Sequence, residues 1–74
     1  MKRYRVYDVN SKTVLQGNFL DTLLWLDSHV NTWNSIEGEC MYAPGYGNVF
    51  VEDSEYSSRK LTGIFRNIIL KYMI

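Results

Sequence analysis

The stretch NFLDTLLWLDSHVNTW, from Asn18 to Trp33, is the first part of this chain able to lay a continuous apolar stripe over a small sheet. Phe19, Leu23, Leu26, Val30 and Trp33 recur at spacings of four, three, four and three, which at ~100° per residue gathers them on one helix face. Asn18 stands where an N-cap belongs. Asp21, three residues on, can answer the free N–H groups of the first turn. The spacing predicts a helix running to Trp33 and stopped by Asn34 and Ser35. Leu24 and Trp25 fall outside the stripe, on the side of Asp21, Ser28 and Thr32, so a sheet beneath the stripe leaves them free to meet something else.

Upstream, Tyr4 to Val9 alternates in the manner of a strand, Asn10 to Lys12 is turn material, and Thr13 to Gln16 is long enough to return as an antiparallel partner. Downstream, Ile36 to Tyr42 and Val49 to Glu52 read as a second hairpin, joined by a loop over Ala43 to Asn48 that holds Pro44, Gly45, Tyr46 and Gly47. Ser57 or Ser58 can cap a final helix in which Leu61, Ile64, Phe65, Ile68, Ile69 and Tyr72 keep helical spacing, with Gly63 and Leu70 turned outward. The expected fold is α+β, a single small domain over residues 1–74. Its order is ββαββα, with an antiparallel sheet of three or four strands and both helices packed on one face. The other face is then open, and the register decides which of Tyr7, Tyr42 and Phe50 it presents.

The chain has 74 residues, 46% of them hydrophobic and 15% aromatic, which is too apolar for disorder. No window approaches the ~20 apolar residues of a membrane span, and the opening MKRYRVYD lacks the apolar core of a secretory signal. One cysteine, Cys40, cannot form an intramolecular disulfide, so a reducing cytoplasm is the expected compartment.

A net charge of zero conceals blocks. Lys2, Arg3, Arg5 and Lys12 lie at the front and Arg59, Lys60, Arg66 and Lys71 at the back, while no lysine or arginine occurs between Thr13 and Ser58. That middle holds Asp21, Asp27, Glu37, Glu39, Glu52, Asp53 and Glu55. Two readings follow: the basic ends neutralise the acidic middle across the fold, or the acids form a patch that meets a basic partner.

Chemistry is poorly supported. His29 is the single histidine and no Cys/His cluster or H-E-x-x-H spacing exists, so a metal site and a cofactor are not expected. Cys40 reads as a buried strand residue without an adjacent base. The pairs Glu37 with Glu39 and Glu52 with Asp53 could serve hydrolysis only in a cleft that a chain this small has little depth to form. Gly45-Tyr46-Gly47 lacks the lysine and the strand-to-helix setting of a phosphate loop. The expectation is a binding protein and not an enzyme.

The opening half, from Tyr4-Arg5-Val6-Tyr7-Asp8-Val9 through Val14-Leu15-Gln16-Gly17 to Leu23-Leu24-Trp25-Leu26, resembles the strand, strand, helix start of small accessory proteins encoded by phages and mobile elements. The likeness spans about residues 4 to 33 and is one of apolar spacing with a glycine and a tryptophan. It implies a small intracellular protein that acts by binding, for example by blocking a host enzyme or defence protein, in the host cytoplasm.

The leading expectation is therefore a protein-binding module, an inhibitor or modulator, with a protein partner. Its candidate contacts are the acids Glu37, Glu39, Glu52, Asp53 and Glu55 and the residues Leu24, Trp25 and Tyr46. Homodimerisation through Leu24, Trp25 and Leu70 stands beside it. The alternative is nucleic-acid binding through Lys2, Arg3, Arg5, Tyr7, Arg59 and Lys60, where bases and an aromatic interleave. An overall pI near 6.5 and the missing run of glycine, aromatics and bases weigh against it.

Overall fold

The structure, a computed structural model, describes residues 2–34, 40–56 and 58–73. Among these residues five strands form one antiparallel sheet: β1 (Tyr4–Asp8), β2 (Thr13–Gly17), β3 (Thr32–Asn34), β4 (Cys40–Ala43) and β5 (Gly47–Glu52), in spatial order β2-β1-β5-β4-β3. Helices α1 (Phe19–His29) and α2 (Ser58–Ile68) complete it, with a π-helical turn over Ile69–Met73 after α2. The α+β class holds. The sheet has five strands where three or four were expected, and the order is ββαβββα, not ββαββα.

The first hairpin is set by its turn and by a bulge. The Asp8 carboxylate accepts from the backbone N–H groups of Asn10 and Lys12 at 2.9 and 3.0 Å, closing a turn that puts Ser11 at a φ of 63°. Val6 then pairs with Leu15 but Tyr7 with Thr13, so Val14 is the extra residue of a β-bulge. Breaking the alternation lets Val14 and Leu15 both pack against the core.

Asn18 caps α1 as expected. Its side chain accepts from the Asp21 N–H at 2.8 Å, and Asp21 accepts from the Asn18 N–H at 3.3 Å, a reciprocal capping box. Gly17 leaves room for it, because a Cβ there would lie 2.7 Å from the Asp21 carboxylate. The helix nevertheless stops at His29, four residues short of the predicted end. Val30 is extended, and the Asn31 N–H bonds the Tyr42 carbonyl at 3.0 Å. Trp33 belongs to β3, opposite Met41. Val30, Thr32 and Trp33 favour a pleated strand, and Trp33 reaches the core from either conformation, so apolar spacing alone could not separate the two.

The predicted strand Ile36–Tyr42 is present over Cys40–Tyr42 as part of β4, and its first residues lie outside the described set. The loop expected over six residues shrinks to Pro44, Gly45 and Tyr46 between the paired Ala43 and Gly47. Pro44 precedes Gly45 at a φ of 91°, and the Tyr46 N–H returns to the Ala43 carbonyl at 2.9 Å, which are the marks of a type II turn.

Register puts Tyr4, Val6, Trp33, Met41, Ala43, Val49 and Val51 on one face of the sheet. All but Trp33 are buried, and they form a single cluster with Leu23, Leu26 and Val30 of the first helical region and Leu61, Phe65 and Ile69 of the second. Both helices lie on this face, because Tyr4 meets a ring from each: Phe19 at 5.7 Å and Phe65 at 5.8 Å, both edge-on, with Phe19 and Phe65 stacked at 4.8 Å. Thr22 and Thr62 are buried without cost, each hydroxyl donating to the carbonyl four residues back, at 2.9 and 2.7 Å. Ile69 is buried as predicted, but Tyr72 is exposed where the α-helical spacing placed it inward. The π turn closes i→i+5 bonds and so shifts every later side chain around the axis.

Candidate binding surfaces

The bases of the first strand fold back on acids near residue 53. Lys2 Nζ lies 2.9 Å from Glu55 Oε2 and 3.8 Å from Asp53 Oδ2. Arg5 reaches Glu52 Oε2 at 3.4 Å, donates from Nε to Thr13 Oγ1 at 2.6 Å, and donates again to the Ser11 carbonyl. These pairs span about fifty residues of chain, and they follow from β1 lying beside β5. Lys2 and Arg5 are thus neighbours in space of Glu52, Asp53 and Glu55, which is the part of the neutralising reading that concerns the front of the chain. Glu37, Glu39 and the side chain of Cys40 lie outside the described residues.

Asp53 differs from its neighbours in burial. Its side chain is fully enclosed, Oδ1 accepts the backbone N–H groups of Glu55 and Tyr56 at 2.7 and 2.6 Å, and Oδ2 has no hydrogen-bond donor among the described residues. Burial alone raises a carboxyl pKa. Here the two backbone donors and the Lys2 charge outweigh it and hold the group below its ordinary value. The Lys2 ammonium is pushed above its own, chiefly by the hydrogen bond to Glu55. Asp53 therefore holds the β5–α2 connection in shape, and Glu52 and Glu55 are the acids left at the surface of this corner.

On the helical side Trp25 is half-buried against the core. Its ring stacks on His29 at 4.3 Å with an interplanar angle of 11°, and the Tyr46 ring stands edge-on to both, 5.3 Å from Trp25 and 5.7 Å from His29. The His29 Nδ1 lies 2.9 Å from the Trp25 carbonyl, near the end of α1. The structure so joins Trp25 to Tyr46, two residues the sequence singled out separately, and separates Leu24 from them. Leu24 is exposed beside Leu20, its neighbour one turn earlier, which the sequence reading passed over although it was visible on the same helix wheel.

Of the bases proposed for nucleic acid, one from the front of the chain and one from the back meet at a single ring. Lys2 and Lys60 sit over the Tyr56 ring, at 5.3 and 5.5 Å from its centroid, and the Arg5 guanidinium lies 4.7 Å above Tyr7. Arg3 and Arg59 are exposed.

The face of the sheet that no helix covers carries three cross-strand rows: Gln16, Arg5 and Glu52; Thr13, Tyr7 and Phe50; and Thr32, Tyr42 and Asn48. All three aromatics whose direction depended on register point here. Tyr7 and Phe50 pair at 5.5 Å and are half-buried, while Tyr42 is exposed. Among the described residues there is no enclosed cavity and no group of three His, Cys, Asp or Glu side chains spaced to hold a metal ion. No described helix is long and apolar enough to cross a membrane. Compared with family models, with characterised proteins and with solved structures, the chain matches none, so its surfaces are the whole basis for a functional reading.

Proposed function

We propose that this chain is a protein-binding module, an inhibitor or modulator of a host protein, that receives its partner on the uncovered face of the sheet. The observation that supports the reading is the convergence of Tyr7, Phe50 and Tyr42 on that face. Tyrosine and phenylalanine offer large contact area at small entropic cost and are enriched where proteins meet. Glu52 stands at the end of the same face and Glu55 lies beyond it, each already in an ion pair, and they give the contact an acidic border.

Nucleic-acid binding is the second reading, and the grouping of Arg5 over Tyr7 with Phe50 beside it favours it as a platform for single-stranded bases. The Arg5 guanidinium, however, is already engaged by Thr13, Ser11 and Glu52, and Lys2 by Glu55, so neither is poised for phosphate.

Immobilised chain used to capture proteins from a lysate of its own cells separates these readings. The variant Tyr42→Thr/Phe50→Thr is expected to lose what the parent captures while keeping its circular dichroism spectrum. Capture that survives both substitutions removes this face, and loss confined to Glu52→Lys/Glu55→Lys moves the contact to the acids. Salt-sensitive retention of a short single-stranded oligonucleotide that needs Arg3 and Arg5 would favour the second reading.

A further inference from the structure

The two helices share one side of the sheet but carry opposite charge. The charged side chains of α1 are Asp21 and Asp27, with no lysine or arginine among its residues. From Ser58 to Met73 the chain holds Arg59, Lys60, Arg66 and Lys71 and no acid. Asp27, Arg59 and Lys71 enter none of the ion pairs among the described residues, all of which use Lys2 or Arg5. Apolar side chains interrupt both charged surfaces: Leu20 and Leu24 on α1, 58% and 48% exposed, and Leu70 after α2, 43% exposed.

We propose that this helical layer is a self-complementary interface that pairs two copies of the chain, α1 of each against α2 of the other. A two-fold axis demands one patch that matches itself, and a patch with an acidic half and a basic half does so when rotated by half a turn. Leu20, Leu24 and Leu70 supply the apolar centre, and Asp27 faces Arg59 or Lys71 of the second copy at the border. A stable contact takes ~800 Å² from each partner, roughly a sixth of the 4621 Å² this chain exposes. One broad side of a body measuring 26 × 26 × 21 Å between Cα atoms is enough to provide it. The opposite side, with Tyr7, Phe50 and Tyr42, stays free, so the pairing and the partner-binding face stand or fall separately.

Sedimentation of the purified chain tests it. The parent is expected at twice 8.7 kDa at concentrations of about 100 μM, a range where a modest interface is populated. Asp27→Lys and the double variant Arg59→Glu/Lys71→Glu should each weaken association at least ~10-fold, because each places like charges opposite one another. An equimolar mixture of the two should associate again, since in the mixed pair both contacts regain opposite signs. That recovery also requires both variants to be folded. A parent that remains a monomer overturns the proposal, as does one that stays monomeric yet binds a short duplex DNA through Arg59 and Lys71, which would assign the basic surface to phosphate. Association that survives both variants overturns it, and so does a mixture that fails to recover.

Discussion

Tyr4 and Tyr7 sit three residues apart on β1 and point to opposite faces of the sheet, yet their surroundings differ entirely. Tyr4 is buried edge-on against Phe19 and Phe65, in a face that also holds Val6, Ala43, Met41, Val49 and Val51, with Trp33 on its outermost strand. Tyr7 lies against Phe50 and beneath Arg5, in a face that includes Thr13, Gln16, Thr32 and Asn48. Each face holds aromatic rings, so aromatic content does not decide which one the helices cover. The covering face offers small and medium apolar side chains that let a helix approach closely, and the uncovered face surrounds its rings with groups that water satisfies. The uncovered face can therefore remain exposed at little cost while keeping the area that recognition uses.

The largest expected effect lies at the covered face. Phe65→Ala removes the ring that touches both Tyr4 and Phe19 and should cost about 3–5 kcal/mol, against about 1 kcal/mol for Phe50→Ala, which loses one cross-strand partner. Urea unfolding followed by circular dichroism measures both. Equal losses would mean that the two faces are equally important to folding and would end the distinction.

Asp53 comes next, because it supports the covered side from the edge. Its depressed carboxyl means that the folded state binds a proton less readily than the unfolded chain. The stability it contributes is present above the ordinary carboxylate value of 3.8 and is lost as the pH falls through the lower folded value. Asp53→Ala also strips the acceptor from the Glu55 and Tyr56 N–H groups and should cost about 2 kcal/mol at neutral pH. Unfolding midpoints of parent and variant should then converge as the pH drops below 3.8. A constant gap between them down to the acid limit would separate Asp53 from the acid response.

Much of the covered face was visible in the sequence, and the uncovered face was less so, for one physical reason. Signals that act within a turn or a period survive in a linear reading. Asn18 with Asp21 marked the start of α1, and the apolar spacing from Leu61 to Ile69 marked α2. Signals that depend on pairing did not survive. The bulge at Val14, the location of Trp33 in a strand and the ion pair from Lys2 to Glu55 each rest on which strand lies beside which. The blocks of charge predicted that bases and acids could meet but not that Arg5 would meet Glu52. Tyr7, Tyr42 and Phe50 were named, and register alone settled their common direction.

The cluster of Trp25, His29 and Tyr46 lies between the two extremes, with Trp25 and His29 half-buried at the end of α1 and Tyr46 exposed on the β4–β5 turn. Tyr46→Ala removes the edge contact to both rings and should cost about 1 kcal/mol, the size of one aromatic pair. Because the Trp25 indole itself loses a neighbour, its fluorescence should change along with the unfolding midpoint. A shift in stability with unchanged emission from Trp25, read in a Trp33→Phe background, would place the contribution of Tyr46 elsewhere.

The smallest expected effect is the most informative for the uncovered face. Tyr42 is exposed and pairs across the sheet with Thr32 and Asn48, so Tyr42→Thr keeps a residue suited to a strand and removes only an exposed ring. Its effect on unfolding should lie within about 0.5 kcal/mol, the range of surface substitutions that touch no special feature. If the ring is retained for contact and not for folding, the same substitution should weaken partner capture far more than it moves the urea midpoint. A loss of stability above about 1 kcal/mol would instead make Tyr42 part of the packing that holds β4 between β3 and β5, and the contrast between the two faces would shrink accordingly.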